Sequence, residues 1–131
     1  MNTRVAVTTL LPVMVLASCA RYPDARSQEQ AAQAIRAADA AWSRVFGAKQ
    51  LDSTVAVVTT SGSILSPNAP IATGTAAIRQ LFIGFMALPD LAISWHPTSV
   101  RVARSGELGY TTGVYQMSFK DPAGKTVTDR G

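Results

Sequence analysis

Between Gln28 and Lys49 apolar residues recur at three- and four-residue steps: Ala31, Ile35, Ala38, Trp42, Val45 and Phe46. That spacing predicts one amphipathic helix, the longest the chain supports, with Gln30, Gln33, Arg36, Ala37 and Arg44 on its other face. Ser27 with Gln30 three residues on predicts a capping-box start, and Gly47 predicts the end. Asp39 breaks the pattern. At 100° per residue it falls about 40° from Ile35 and about 20° from Phe46, inside the apolar stripe. A carboxylate there is either a structural hydrogen-bonding device or the floor of a site.

The period then changes repeatedly. Lys49 to Asp52 opens a short second helix carrying Leu51, Val55 and Val58, with Asp52 as its expected cap. Ser63–Leu65 and Ile71–Thr73 are short strands around the turn Pro67-Asn68-Ala69-Pro70, confined by their prolines to an edge. Ile78, Leu81, Phe82, Phe85 and Leu88 restore a helical face, capped by Thr73 or Thr75 and stopped by Pro89. Gly84 inside that helix predicts close packing. Leu91, Ile93 and Trp95 then alternate with Ala92, Ser94 and His96. Pro97 predicts a kink before Val100 and Val102. After a turn at Ser105–Glu107, Leu108–Lys120 is a long strand with Tyr115, Met117 and Phe119 on one side and Tyr110, Thr112 and Val114 on the other. Gly109 and Gly113 mark a bend or bulge in it. Asp121–Gly124 is a turn into a further strand from Lys125. Helices followed by an antiparallel meander predict an α+β fold with helices on one sheet face.

The first residues have a different texture. Arg4 precedes the 12-residue apolar run Val5–Leu16, shorter than the roughly 18 residues that a membrane span needs. The run ends in Leu16-Ala17-Ser18-Cys19, which resembles the lipobox of bacterial lipoproteins. The resemblance implies a signal peptide over 1–18 and a lipidated Cys19 as membrane anchor. It also implies a tether over 19–27, a domain over 28–131, and residence at the periplasmic face of a membrane. Ala20 after the cysteine fits the outer membrane of a Gram-negative cell. Cys19 is the single cysteine, so the domain itself has no disulfide and no thiol chemistry.

With 131 residues there is room for one domain. The net charge is +4 and the pI about 9.7, but Arg36, Arg44, Lys49, Arg79, Arg101, Arg104, Lys120, Lys125 and Arg130 form no run. Nucleic-acid binding is therefore not expected. One histidine and no cysteine pair argue against a metal site, and no cofactor motif occurs. Ser61-Gly62-Ser63 is neither a phosphate loop nor a nucleophile elbow.

Three segments carry a wider resemblance: AADAAWSRVFGAKQLD, SPNAPIATGTAAIRQLF and GELGYTTGVYQMSFKDPAGKTVTDRG. In that order and spacing the chain resembles the NTF2-like, SnoaL-like superfamily, and within it the DUF4440 group. The resemblance covers about Ala31 to Gly131. It implies a cone-shaped α+β fold whose long helix crosses a curved sheet over a cavity. That cavity is an active site in ketosteroid isomerases and polyketide cyclases and a ligand pocket elsewhere. It also implies a homodimer formed through the sheet. Two departures stand out. Thr59-Thr60-Ser61 replaces acidic residues usual in relatives, and relatives continue past the DRG sequence with the rest of that strand and one more. By this resemblance the chain is C-terminally short, either as a non-functional paralogue or with a partner chain supplying the pairing.

Asp39 is the leading polar candidate, either holding the helix on the sheet or exchanging protons with a ligand. Tyr115 or Tyr110 offers a phenol and His96 a base, but strand alternation forbids Trp95 and His96 from both facing the cavity. Asp39, Trp42, Phe46, Phe82, Trp95, Tyr115 and Met117 form the expected pocket, with Phe85 and Phe119 on the same inner surface. With no second pocket acid evident, the acid–base set is incomplete. The expectation is non-catalytic binding of a small apolar ligand or a protein partner, with an isomerase- or cyclase-like enzyme using Asp39 as the rival. The leader makes its own prediction. Expressed in a bacterial host, the chain should incorporate labelled palmitate, and Cys19→Ser should abolish the label. A wild-type chain that exports without label excludes the lipobox reading.

Overall fold

The computed structural model describes residues 24–67 and 69–131. The expected signal peptide, Cys19 and the tether up to residue 23 lie outside the described residues. The elements are α1 (Ala25–Gly47), α2 (Leu51–Val55), β1 (Ser63–Ile64), β2 (Ala72–Thr73), α3 (Gly74–Met86), β3 (Ala92–Val102), β4 (Gly109–Lys120) and β5 (Thr126–Arg130). Strands β1 and β2 pair as a small hairpin, and β3-β4-β5 form an antiparallel meander that does not close. The α+β class read from the sequence is the class observed.

Helix α1 begins one turn earlier than Ser27 suggests. Asp24 is its N-cap, and its carboxylate accepts from the Ser27 backbone N–H at 2.8 Å. A carboxylate satisfies an orphan donor and meets the positive end of the helix dipole, so it outcompetes a serine hydroxyl. That bond holds the Asp24 carboxyl below its ordinary value. Of the other two expected caps, one differs and one stands. Gln50, not Asp52, occupies the N-cap position of α2, and Asp52 instead pairs with Arg79 at 2.6 Å; Thr73 is the N-cap residue of α3, but its hydroxyl meets Ser63 Oγ at 2.8 Å and not the helix end. Ala38, expected on the apolar stripe, is exposed.

The placement of α1 follows from β3. Tyr115 exchanges both backbone hydrogen bonds with Gly131, so its partner across the ladder, Trp95, turns its N–H and C=O away from β4. These outward groups form the edge that α1 covers. Ser43 Oγ accepts from the Trp95 backbone N–H at 2.9 Å. Arg36 Nη1 donates to the Pro97 carbonyl at 3.0 Å, and Pro97 has no N–H to satisfy. Gly47 packs against the Ile93 carbonyl, where an added Cβ would stand 2.9 Å from the oxygen. The helix thus seals an edge that would otherwise invite another strand.

The kink expected at Pro97 is a bulge. The register runs Pro97↔Gly113 and then Ser99↔Thr112, leaving Thr98 unpaired. One extra residue reverses which positions face the helix. Leu91, Ile93 and Trp95 point inward before it, and Val100 and Val102 after it. The bulge keeps the apolar face continuous. Gly113, opposite Pro97, is required to be small: a Cβ there would lie 2.4 Å from the His96 carbonyl oxygen. The irregularity is in β3, not in β4 where the glycines suggested it.

The buried core is Phe46, Val55, Ala72, Ile78, Phe82 and Leu91, and its large side chains each contribute about 1.5–3 kcal/mol by burial. Phe46 joins the helices to the sheet through edge-to-face contacts with Phe82 at 5.2 Å and Trp95 at 5.8 Å. Gly84 does not pack closely as expected, since a Cβ there meets nothing within 4 Å. Gly47 and Gly84 therefore respond oppositely to alanine. Gly84→Ala should stabilise by up to about 1 kcal/mol through helix propensity. Gly47→Ala should destabilise by about 1–3 kcal/mol by pushing α1 off β3. Urea denaturation of the two variants measures both, and a stable Gly47→Ala would mean that α1 does not lie against Ile93.

Candidate ligand pocket

A cavity of about 410 Å³ opens between α1, α3 and the inner face of β3 and β4. Helical spacing builds one wall: Asp39, Trp42 and Phe46 stand at three- and four-residue steps on α1, and Phe82 and Phe85 share a face of α3. Strand alternation builds the other, with Ile93 and Trp95 on β3 and Thr111, Gly113 and Tyr115 on β4; Ile64 and Val114 complete the lining. The size falls within the range of small-molecule sites, and so does the make-up, mostly apolar with few polar groups.

Asp39 is half-buried, and its Oδ1 accepts from the Trp95 indole N–H at 2.7 Å. No Lys or Arg pairs with it among the described residues. The other indole, Trp42, donates to the Thr54 carbonyl at 3.0 Å and meets Trp95 edge to face at 5.3 Å and 82°. Both rings are thus fixed at two ends, one by a hydrogen bond and one by packing. Tyr115 presents its ring to the cavity, while its hydroxyl donates to Asp129 Oδ2 at 2.7 Å. This bond, then desolvation and the nearby negative charge, raise the phenol above its ordinary value of 10.0.

Of the expected pocket residues, the structure brings Asp39, Trp42, Phe46, Phe82, Trp95 and Tyr115 to one cavity. Met117 lines an adjoining hollow of about 340 Å³ with Ser66, Pro67 and Asp129, reached past Phe85, Ile93 and Tyr115. His96 is exposed on the opposite sheet face, beside Ser94, Gln116 and Arg130. Trp95 therefore takes the cavity side and His96 does not, and Tyr110 is likewise exposed. Among the described residues no group of His, Cys, Asp or Glu side chains could hold a metal ion, and no helix is long and apolar enough to cross a membrane.

Sequence reasoning missed Asp129, the partner of Tyr115. It lies on a separate strand whose register with β4 no local pattern specifies. Ile64 and Thr111 were missed too. Thr111 shares the parity of Tyr115, so alternation was the available signal.

Several solved structures share this architecture. A ketosteroid isomerase-like protein from Erwinia carotovora atroseptica superposes with a TM-score of 0.65 at 17% identity, over 76% of each chain. A protein from Xanthomonas campestris assigned as a polyketide cyclase gives 0.58 at 16%, over 80% of this chain and 79% of that one. A protein from Streptomyces avermitilis assigned as a dehydratase of the NTF2-like family gives 0.53 at 12%, over 79% and 82%. No family model matches the sequence, and no curated protein matches it significantly. The chain has the NTF2-like fold, and its structural neighbours include proteins described as isomerase-like, cyclase and dehydratase.

The Tyr115–Asp129 contact has a pH signature. Its phenol holds its proton more tightly folded than unfolded, so the contribution to stability is complete below about pH 10. It is lost as pH rises through the higher folded value. In an ultraviolet titration Tyr115 should ionise above the ordinary tyrosine range, and Asp129→Asn should remove that high-pH phase. Indistinguishable wild-type and variant curves would show that the two side chains do not meet.

Proposed function

We propose that this chain is a binding protein, taking a small apolar molecule into the cavity under α1 without chemical conversion. The observation that carries this reading is the cavity itself. Aromatic and aliphatic side chains form most of its walls, and the one charged lining group among the described residues, Asp39, is already engaged by Trp95. The phenol of Tyr115 is likewise committed, to Asp129. Neither group stands ready beside the other as a free acid–base pair. The lipobox-like Leu16–Cys19 supports placing this domain at a membrane surface by way of a lipidated Cys19, which is a natural setting for apolar ligands.

A second reading has an observation of its own. Asp39 Oδ2 has no hydrogen-bond partner among the described residues, so the carboxylate retains capacity to take a proton from a bound molecule. On that reading the chain is an isomerase- or cyclase-like enzyme, a class its fold neighbours also include.

Fluorescence separates these readings from an empty fold. The protein has two tryptophans, and both line the cavity. Titration of the domain with hydrophobic ring compounds should change their emission saturably. Phe82→Trp should weaken binding by about tenfold by filling the cavity. No response from a folded domain would exclude both readings, and substrate turnover lost in Asp39→Asn would favour the enzyme.

A further inference from the structure

We propose that the pocket selects hydrophobic amines: an aromatic or alicyclic body bearing one protonated nitrogen, in preference to the matching alcohol, hydrocarbon or acid. This inference rests on the pocket reading above and names the ligand class it takes.

The preference originates at the carboxylate of Asp39. A carboxylate has two acceptor oxygens and no donor. Trp95 Nε1 uses Oδ1, which leaves Oδ2 to water while the cavity is open. A ligand body that fills the cavity displaces that water. A hydrocarbon leaves Oδ2 uncovered by any donor, which costs affinity. An alcohol restores one neutral bond. An ammonium supplies a charge-assisted bond, the stronger kind, and neutralises the carboxylate as the site closes around it. A carboxylate ligand brings a second acceptor and a like charge.

The walls add to the same preference. Trp42, Phe46 and Trp95 line the same cavity with mutually crossed rings, at 5.3 Å and 82° for the two tryptophans and 5.8 Å and 73° for Phe46 with Trp95. Aromatic π-systems attract a cation, tryptophan most strongly. Among the described residues no Lys, Arg or His lines the cavity to compete with the ligand or to welcome an anion. The chain as a whole carries +4, which opposes a cationic ligand. That charge is scattered over the surface and screened beyond about 10 Å in 0.1 M salt, whereas Oδ2 acts at contact distance. Local charge decides.

The test uses one ring body with four substituents, 2-aminoindane, indan-2-ol, indane and indane-2-carboxylate, measured by calorimetry on the domain and on Asp39→Asn. The asparagine keeps an oxygen for the Trp95 N–H and conserves volume, and near-UV circular dichroism establishes that the tryptophan environment is intact. The amine should bind wild type about tenfold or more tighter than the alcohol, with the acid weakest. In Asp39→Asn the amine should fall to the level of the alcohol, while indane binds at least as well as to wild type. Equal binding of amine and alcohol by wild type, or an amine preference that survives in Asp39→Asn, overturns the inference and leaves the apolar pocket standing. Failure of all four to bind folded wild type overturns the pocket reading and this inference with it.

Discussion

The structure depends on how one helix seals one strand edge. Helix α1 meets the outward backbone of β3 at three places spaced along its length: Arg36 at the Pro97 carbonyl, Ser43 at the Trp95 amide and Gly47 at the Ile93 carbonyl. A strand edge has polar groups at fixed intervals, and a helix can serve them only if its own residues fall at the matching rise. A long donor, a short acceptor and a missing side chain follow one another down α1 in that order. Because the contacts are with backbone, they locate the helix axis and not merely a side-chain cluster.

The pocket inherits its geometry from this seal. Trp95 is gripped twice by α1, through its amide by Ser43 and through its indole by Asp39 one helical turn earlier. The side chain therefore has little choice of rotamer, and the position of the carboxylate relative to the aromatic wall follows from it. Asp39 is both a structural group and a lining group of the cavity, since one oxygen orients Trp95 and the other has no hydrogen-bond partner among the described residues. The two readings that the sequence leaves open for this residue are not exclusive.

The bulge at Thr98 serves the same end from the sheet side. Without it, the inward set of β3 would continue as odd residues and place Ser99 and Arg101 against α1 in place of Val100 and Val102. With it, the apolar surface continues past the kink, so the amino-terminal half of α1 has something to pack on. Gly113 accommodates the close approach across the ladder and leaves the β4 wall without a side chain where the bulge narrows the space.

Much of this was legible in the sequence. Periods of 3.6 and 2 are local properties, so the helices, the long strands and the inward positions Trp42, Phe46, Phe82 and Tyr115 could be read from spacing alone, as could the oddity of Asp39. Pro97 signalled an irregularity by its missing N–H. Only the tertiary structure decided which strand edge α1 covers, that Asp24 and not Ser27 begins it, that Trp95 and not His96 turns to the cavity, and that Asp129 answers Tyr115. Each of these is a pairing between residues distant along the chain or a competition between alternative partners, and a period measured within one segment contains no information about either. Asp39 shows the division most plainly: its place on the stripe is a matter of 100° steps, but its partner lies 56 residues away, brought there by the packing of a helix on a strand.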